Sequence, residues 1–236
     1  MTNDQLLEEL VNRLREALGE DLVSVVLYGS AVAGDYQAKV SDLNVLCVLT
    51  ELGADELRKV NEPVRWWSKK KQPVPIFLSR KEVENAHDAF AIEFLDISAA
   101  YRVLYGEDVV AGIEVEPEHH RHQVEHELRS RLLRLRERYV AAQKDRRELT
   151  RLLVESLPSF ATLLRHALIL KGDQAPVTKH EIFQSAAKQF SISAKPFEAI
   201  LAFRQGTERI DDHDIRPVFG DYLVQITKAA EAVDKL

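Results

Sequence analysis

Residues 28 to 46 read YGSAVAGDYQAKVSDLNVL, and the residue types in this stretch suit phosphate chemistry. An apolar run, Val23 to Tyr28, ends in Gly29-Ser30. A polar loop follows, and then Asp42 and Asn44 alternate with Leu43 and Val45 as a second apolar run begins. Successive side chains on a strand point to opposite faces, so Asp42 and Asn44 share one face and Leu43 and Val45 the other. A glycine lets the backbone approach a phosphate closely, and the serine after it adds a hydroxyl and its own N–H. Two oxygen-bearing side chains opposite such a turn suit a metal ion held against a phosphate, because Mg²⁺ prefers hard oxygen ligands. Ser30 to Ala33 is expected to open a short helix whose amide end faces the anion.

This pattern resembles the nucleotidyltransferase fold of the DNA polymerase β superfamily, in which Gly-Ser is followed, one loop later, by acid-apolar-acid on a strand. The resemblance implies transfer of a nucleoside monophosphate from an NTP, with ATP the expected donor, to a hydroxyl on a small molecule or protein. The implied cofactor is Mg²⁺ or Mn²⁺. Gly29 and Ser30 would hold the triphosphate, and Asp42 and Asn44 would form the catalytic and metal-binding pair. This chain departs from the family at Asn44, which offers a carbonyl oxygen but no charge. Losing one negative charge at ~4 Å from a dication forfeits several kcal/mol even at an effective dielectric of about 20. The family also carries a third carboxylate on the next strand, and the matching run here, PVPIFL at 73–78, has none. Glu93 and Asp96 in FAIEFLDI and Asp35 in the loop are the acids able to substitute. If 90–97 is a strand, Glu93 and Asp96 point to opposite faces and at most one reaches the site. The simpler reading makes both of them charges at a sheet rim.

The elements around these residues predict an α+β protein, a small mixed-sheet head followed by an all-α helical bundle. The division falls near 113. Residues 1–113 hold 12 Lys/Arg and 19 Asp/Glu, a net charge of −7, and residues 114–236 hold 20 and 19, a net of +1. In the head, Thr2-x-x-Gln5 reads as a capping box for a helix with Leu6, Leu7, Leu10, Val11 and Leu14 on one face, stopped by Gly19. Strand-like runs follow at 22–28, 43–49 and 73–78, with a helix between the last two. Ser79-x-x-Glu82 starts a short helix, and 90–97 and 102–105 read as extended. In the second part Val124, Leu128, Leu132, Leu135 and Tyr139 form one seam of a long helix. Asp145 caps a successor that Pro158 should kink or interrupt. Thr178-x-x-Glu181 opens another helix, and helices near 195–204 and 215–235 complete four or five. This layout also resembles kanamycin-type antibiotic nucleotidyltransferases, whose helical domain helps to form the acceptor pocket.

At 236 residues, with 45% hydrophobic and 30% charged residues, the chain has an ordinary globular composition. No apolar run approaches the ~20 residues that span a bilayer, and MTNDQLLEEL is acidic where a signal peptide would be basic, so a cytoplasmic location without a membrane partner is expected. Cys47, the lone cysteine, reads as a buried apolar residue. Lys69-Lys70-Lys71 behind Trp66-Trp67 suggests a nucleic-acid patch, but the overall charge of −6 argues against strong nucleic-acid binding. Two packing tryptophans and a lysine-rich helix end is the simpler reading. His119, His120, His122 and His126 suggest a metal site, against a solvated helix start as the default. Arg121 and His126 match the spacing of a HEPN-like module, yet five helical residues turn ~500° and separate them around the axis. The arginines from Arg129 to Arg151 suit phosphates, but the interleaved glutamates favour a solvated, ion-paired face. Three functions stay open: an active nucleotidyltransferase, an inactive nucleotide-binding or regulatory pseudoenzyme, and an interaction module that forms a homodimer, for instance through the Leu128–Leu135 seam.

Overall fold

The computed structural model describes residues 1–32, 42–173, 176, 178–207 and 215–236. The chain separates into two compact units, Met1–Glu116 and Pro117–Leu236.

The first unit opens with helix α1, Asn3–Leu18. The Thr2 hydroxyl accepts from the Gln5 N–H while the Gln5 side chain accepts from the Thr2 N–H, a reciprocal cap that satisfies two otherwise orphaned donors. Gly19 ends the helix at φ 57°, where a side chain would be strained. Then come β1 (Leu22–Tyr28), β2 (Asn44–Leu49), α2 (Ala54–Lys59), α3 (Asn61–Lys69), β3 (Ile76–Ser79), α4 (Arg80–Asn85), α5 (Ala91–Ala99) and β4 (Tyr101–Gly106). The sheet order is β3-β2-β1-β4, with β1 antiparallel to both neighbours and β2 parallel to β3. Alternation along the two inner strands splits the core into two layers. Val25, Leu27, Val45, Cys47 and Leu49 pack with the α1 leucines and Trp67 on one side. Val26, Leu46 and Val48 pack with Val83, Phe94 and Ile97 on the other. Trp67 is fully buried and its Nε1–H donates to the Pro73 carbonyl at 2.7 Å, while Trp66 is half-buried, as expected for a packing pair.

Three local expectations change. Residues 90–97, read as extended, form helix α5 instead, because Ala91, Ile92, Phe94 and Ile97 are buried at helical rather than alternating spacing. The run 73–78 yields strand only from Ile76, since Pro73 and Pro75 lack the N–H that a ladder needs. One helix between β2 and β3 proves to be two, α2 and α3.

The second unit contains five helices among the described residues: α6 (Pro117–Ala142), α7 (Arg146–Leu170), α8 (Lys179–Gln189), α9 (Lys195–Gln205) and α10 (Ile215–Val233). Helix α7 is central and packs against each of the others. Pro158 lies inside α7 without interrupting it. Leu153, Leu157, Phe160, Ala161 and Leu164 are buried on both sides of the proline, so tertiary packing outweighs the one lost hydrogen bond. Helix α7 has the length and apolar content to cross a bilayer, but 56% of that window is buried inside the protein, where it serves as core. Leu128 and Leu135 are likewise buried within the chain, so their seam is already filled and does not face a second copy.

Candidate functional site

Strand β1 delivers Tyr28 and Gly29 to the sheet's end, and β2 begins there with Asn44. Tyr28 lies directly opposite Asn44 in the antiparallel ladder, so their side chains share a face. Gly29 follows at φ +82°, a conformation that favours glycine, and its N–H donates to the Ala100 carbonyl at 2.9 Å. A Cβ placed on Gly29 would sit 3.4 Å from Asn44 Nδ2, so the absent side chain leaves the Asn44 amide facing bare main chain. Ser30 is exposed. The expected helix after it is a single 3₁₀ turn, Gly29–Ala31, closed by the Val32 N–H donating to Gly29 O at 2.9 Å, and is too short to act as a helix terminus.

Leu43 is 1% exposed and its N–H donates to Gln72 Oε1 at 2.9 Å, which fixes the chain as it enters β2. Asn44, alternating with Val45, faces the same side as Leu46 and Tyr28, and Asp42 lies two residues before the strand begins. Asp42 is exposed and Asn44 half-buried. Among the described residues, none hydrogen-bonds to the side chains of Ser30, Asp42 or Asn44. Asp35 lies outside the described residues.

The sequence reading did not find the contribution of α5. Glu93 and Asp96 are three residues apart on a helix, hence on neighbouring positions of one face rather than opposite ones. Both approach Tyr28. Its hydroxyl is pushed up to about 12, first by burial and then by the negative charges of Asp96 and Glu93. The usable signal is the helical spacing of Ala91, Ile92, Phe94 and Ile97, which an apolar run this short shares with a buried strand. The third strand adds no acid. Extending the β2–β3 register from Leu46 opposite Ile76 places exposed Val74 level with Asn44.

Among the described residues the donor set is one carboxylate, Asp42, two residues before β2, and one amide, Asn44, that opens it, beside a glycine turn. It does not fit a resident pair of divalent cations, which need several hard, charged oxygen ligands. Among the described residues there is no group of three or more His, Cys, Asp or Glu arranged to hold a metal ion. The histidine run on α6 gives no such site either. His119, His122 and His126 are exposed, whereas His120 is buried against His166 of α7, correcting the expectation of a wholly solvated helix start. The arginines largely pair with acids: Arg129 with Glu125 and Asp234, Arg131 with Glu127, Arg138 with Glu155, and Arg151 with Glu148. Two surface cavities, about 810 and 400 Å³, lie along α1 and include none of the site residues.

No protein-family model matches this chain, and no curated protein matches it. The structure is similar to that of a spectinomycin adenyltransferase from Enterococcus faecialis, crystallised with ATP and spectinomycin. The TM-score is 0.63 and the identity 14%, and the match covers 99% of this chain and 100% of that one. At that identity the likeness establishes the fold: a nucleotidyltransferase head followed by a helical unit.

Proposed function

We propose that this chain, which has the fold of the nucleotidyltransferases, binds a nucleoside triphosphate, ATP by preference, and transfers its nucleoside monophosphate to a hydroxyl of a small-molecule acceptor. The observation that carries this reading is the convergence of Gly29 and Asn44 at the sheet's end, with Ser30 and Asp42 exposed beside them. The bound ATP and spectinomycin of the similar adenyltransferase support a nucleotide and a small-molecule acceptor as ligands. Gly29 admits the phosphates against its main chain, and Ser30 donates its hydroxyl and N–H to them. Asp42 accepts the acceptor's proton as the hydroxyl oxygen attacks the α-phosphorus. The α-phosphorus to bridging-oxygen bond breaks, and pyrophosphate leaves. No step is assigned to a resident metal centre, and any divalent cation arrives with the nucleotide. The neutral Asn44 and the acid-free β3 predict slow turnover.

The test is calorimetric titration with each NTP, followed by pyrophosphate release in the presence of candidate acceptors. Heat from ATP and released pyrophosphate are the expected results. Silence in both measurements sinks the reading. Heat without pyrophosphate selects the second reading, a nucleotide-binding regulatory protein, which the uncharged Asn44 at the start of β2 favours.

A further inference from the structure

The nucleotide reading above is the premise here. We infer that Asn44 converts the position at the start of β2 from a cation ligand into a hydrogen-bond donor to phosphate, so that this head holds a triphosphate without needing a divalent cation.

The geometry supplies the reasons. The terminal amide of Asn44 lies beside the space above Gly29, 3.4 Å from where a Cβ would stand; glycine leaves that space open, and no hydrogen bond among the described residues stops the amide turning its N–H groups into it. A side-chain amide carries two N–H donors that suit an anion, whereas its carbonyl oxygen brings no charge to a cation. The Gly29 N–H is already committed to the Ala100 carbonyl, and exposed Ser30 brings its hydroxyl and its own N–H to the same turn. A phosphate there meets donors from two strands at once, Asn44 from β2 and the turn after β1. Charge points the same way. Asp42 already lies next to the site, and α5 brings Asp96 and Glu93 towards Tyr28, the cross-strand partner of Asn44. Another carboxylate at 44 would make a cation obligatory, because a bare triphosphate would face repulsion on every side. Asparagine removes that requirement. The carboxylate missing from β3 and the uncharged residue on β2 then become one coherent change, from a site that binds metal and phosphate together to one that binds phosphate alone.

The test measures the affinity of α,β-methylene-ATP, which resists transfer, for the intact chain in EDTA and again in excess Mg²⁺. For the unaltered chain, dissociation constants in the two buffers should agree within about fivefold. Asn44→Asp should weaken binding at least about tenfold in EDTA, the range expected for losing a hydrogen bond to a charged group, and recover on adding Mg²⁺. Asn44→Ala should weaken binding equally in both buffers, and thermal melts of each variant verify folding. A loss of more than about fivefold in EDTA by the unaltered chain overturns the inference, as does full EDTA affinity in a folded Asn44→Asp. No binding in either buffer overturns the nucleotide reading itself, a distinguishable outcome.

Discussion

The two units each bring polar side chains together, and they use them in opposite ways. In the helical unit, His120 and His166 are 3% and 0% exposed, with Nε2 and Nδ1 2.9 Å apart and rings nearly perpendicular. Arg165 lies 3.1 Å from the other nitrogen of His166. A guanidinium can only donate, so His166 Nε2 accepts and its Nδ1–H donates to His120. His120 Nε2, both nitrogens of His166 and the Arg165 guanidinium are thus paired with one another inside the same unit. At the end of the head's sheet, exposed Ser30 and Asp42 and half-buried Asn44 have no side-chain hydrogen bond among the described residues. Polar groups saturated inside a core hold helices in register, and polar groups left over at the edge of a rigid sheet are available to a ligand.

That contrast breaks most readily through chemistry. Asp42→Asn should reduce pyrophosphate release at least about 100-fold, the usual contribution of a positioned proton acceptor, with the melting temperature unchanged. A variant that loses stability instead would place Asp42 with the structural residues. The mirror experiment is His166→Ala. It removes a buried ring and the partner of His120 Nε2, so a denaturant titration should show a loss of about 2–4 kcal/mol, with nucleotide affinity retained once folded. Loss of ATP binding without loss of stability would erase the distinction between the two units.

Most of the head's architecture was legible because its signals were local. The Thr2/Gln5 and Ser79/Glu82 boxes, the stop at Gly19 and the alternation in β1 and β2 each depend on residues a few positions apart. The Gly29 turn and Asn44 were readable for the same reason. Helix α5 was not, because FAIEFLDI is apolar enough for either a strand or a buried helix, and only its packing under β1 and β2 decides between them. That misreading hid the shared side of Glu93 and Asp96. Pro158 misled in the other direction, since helix propensity is local while the core that overrides it is not. The His120–His166 bond joins residues 46 positions apart, and nothing in either neighbourhood announces it.

Gly29→Ala tests the open side of the comparison from the backbone. At φ +82° a side chain should cost about 1–2 kcal/mol of stability. The added methyl would also fill the space in front of Asn44, so affinity for a triphosphate should fall further than the stability loss alone explains. Equal affinity in the folded variant would mean that phosphates do not approach this turn.

The smallest expected effect sharpens the comparison at Tyr28, which is half-buried between core and site. Its hydroxyl titrates near 12 in the folded chain against 10.0 for an unperturbed tyrosine. The shift is upward in an acid, so the unfolded chain ionises first. The contribution to stability is therefore whole below pH 10 and is lost as pH rises through the folded value. Tyr28→Phe should flatten the alkaline limb of the stability curve between about pH 10 and 12 and leave neutral pH nearly untouched. Asp96→Asn should lower the Tyr28 titration point only in part, because burial is the larger cause, and Glu93→Gln should lower it less. Phenolate absorbance, with the Tyr28→Phe spectrum subtracted, reads each shift directly. Should Asp96→Asn leave the titration unmoved, α5 would be no nearer the site than the rest of the core, and Tyr28 would belong with the saturated groups.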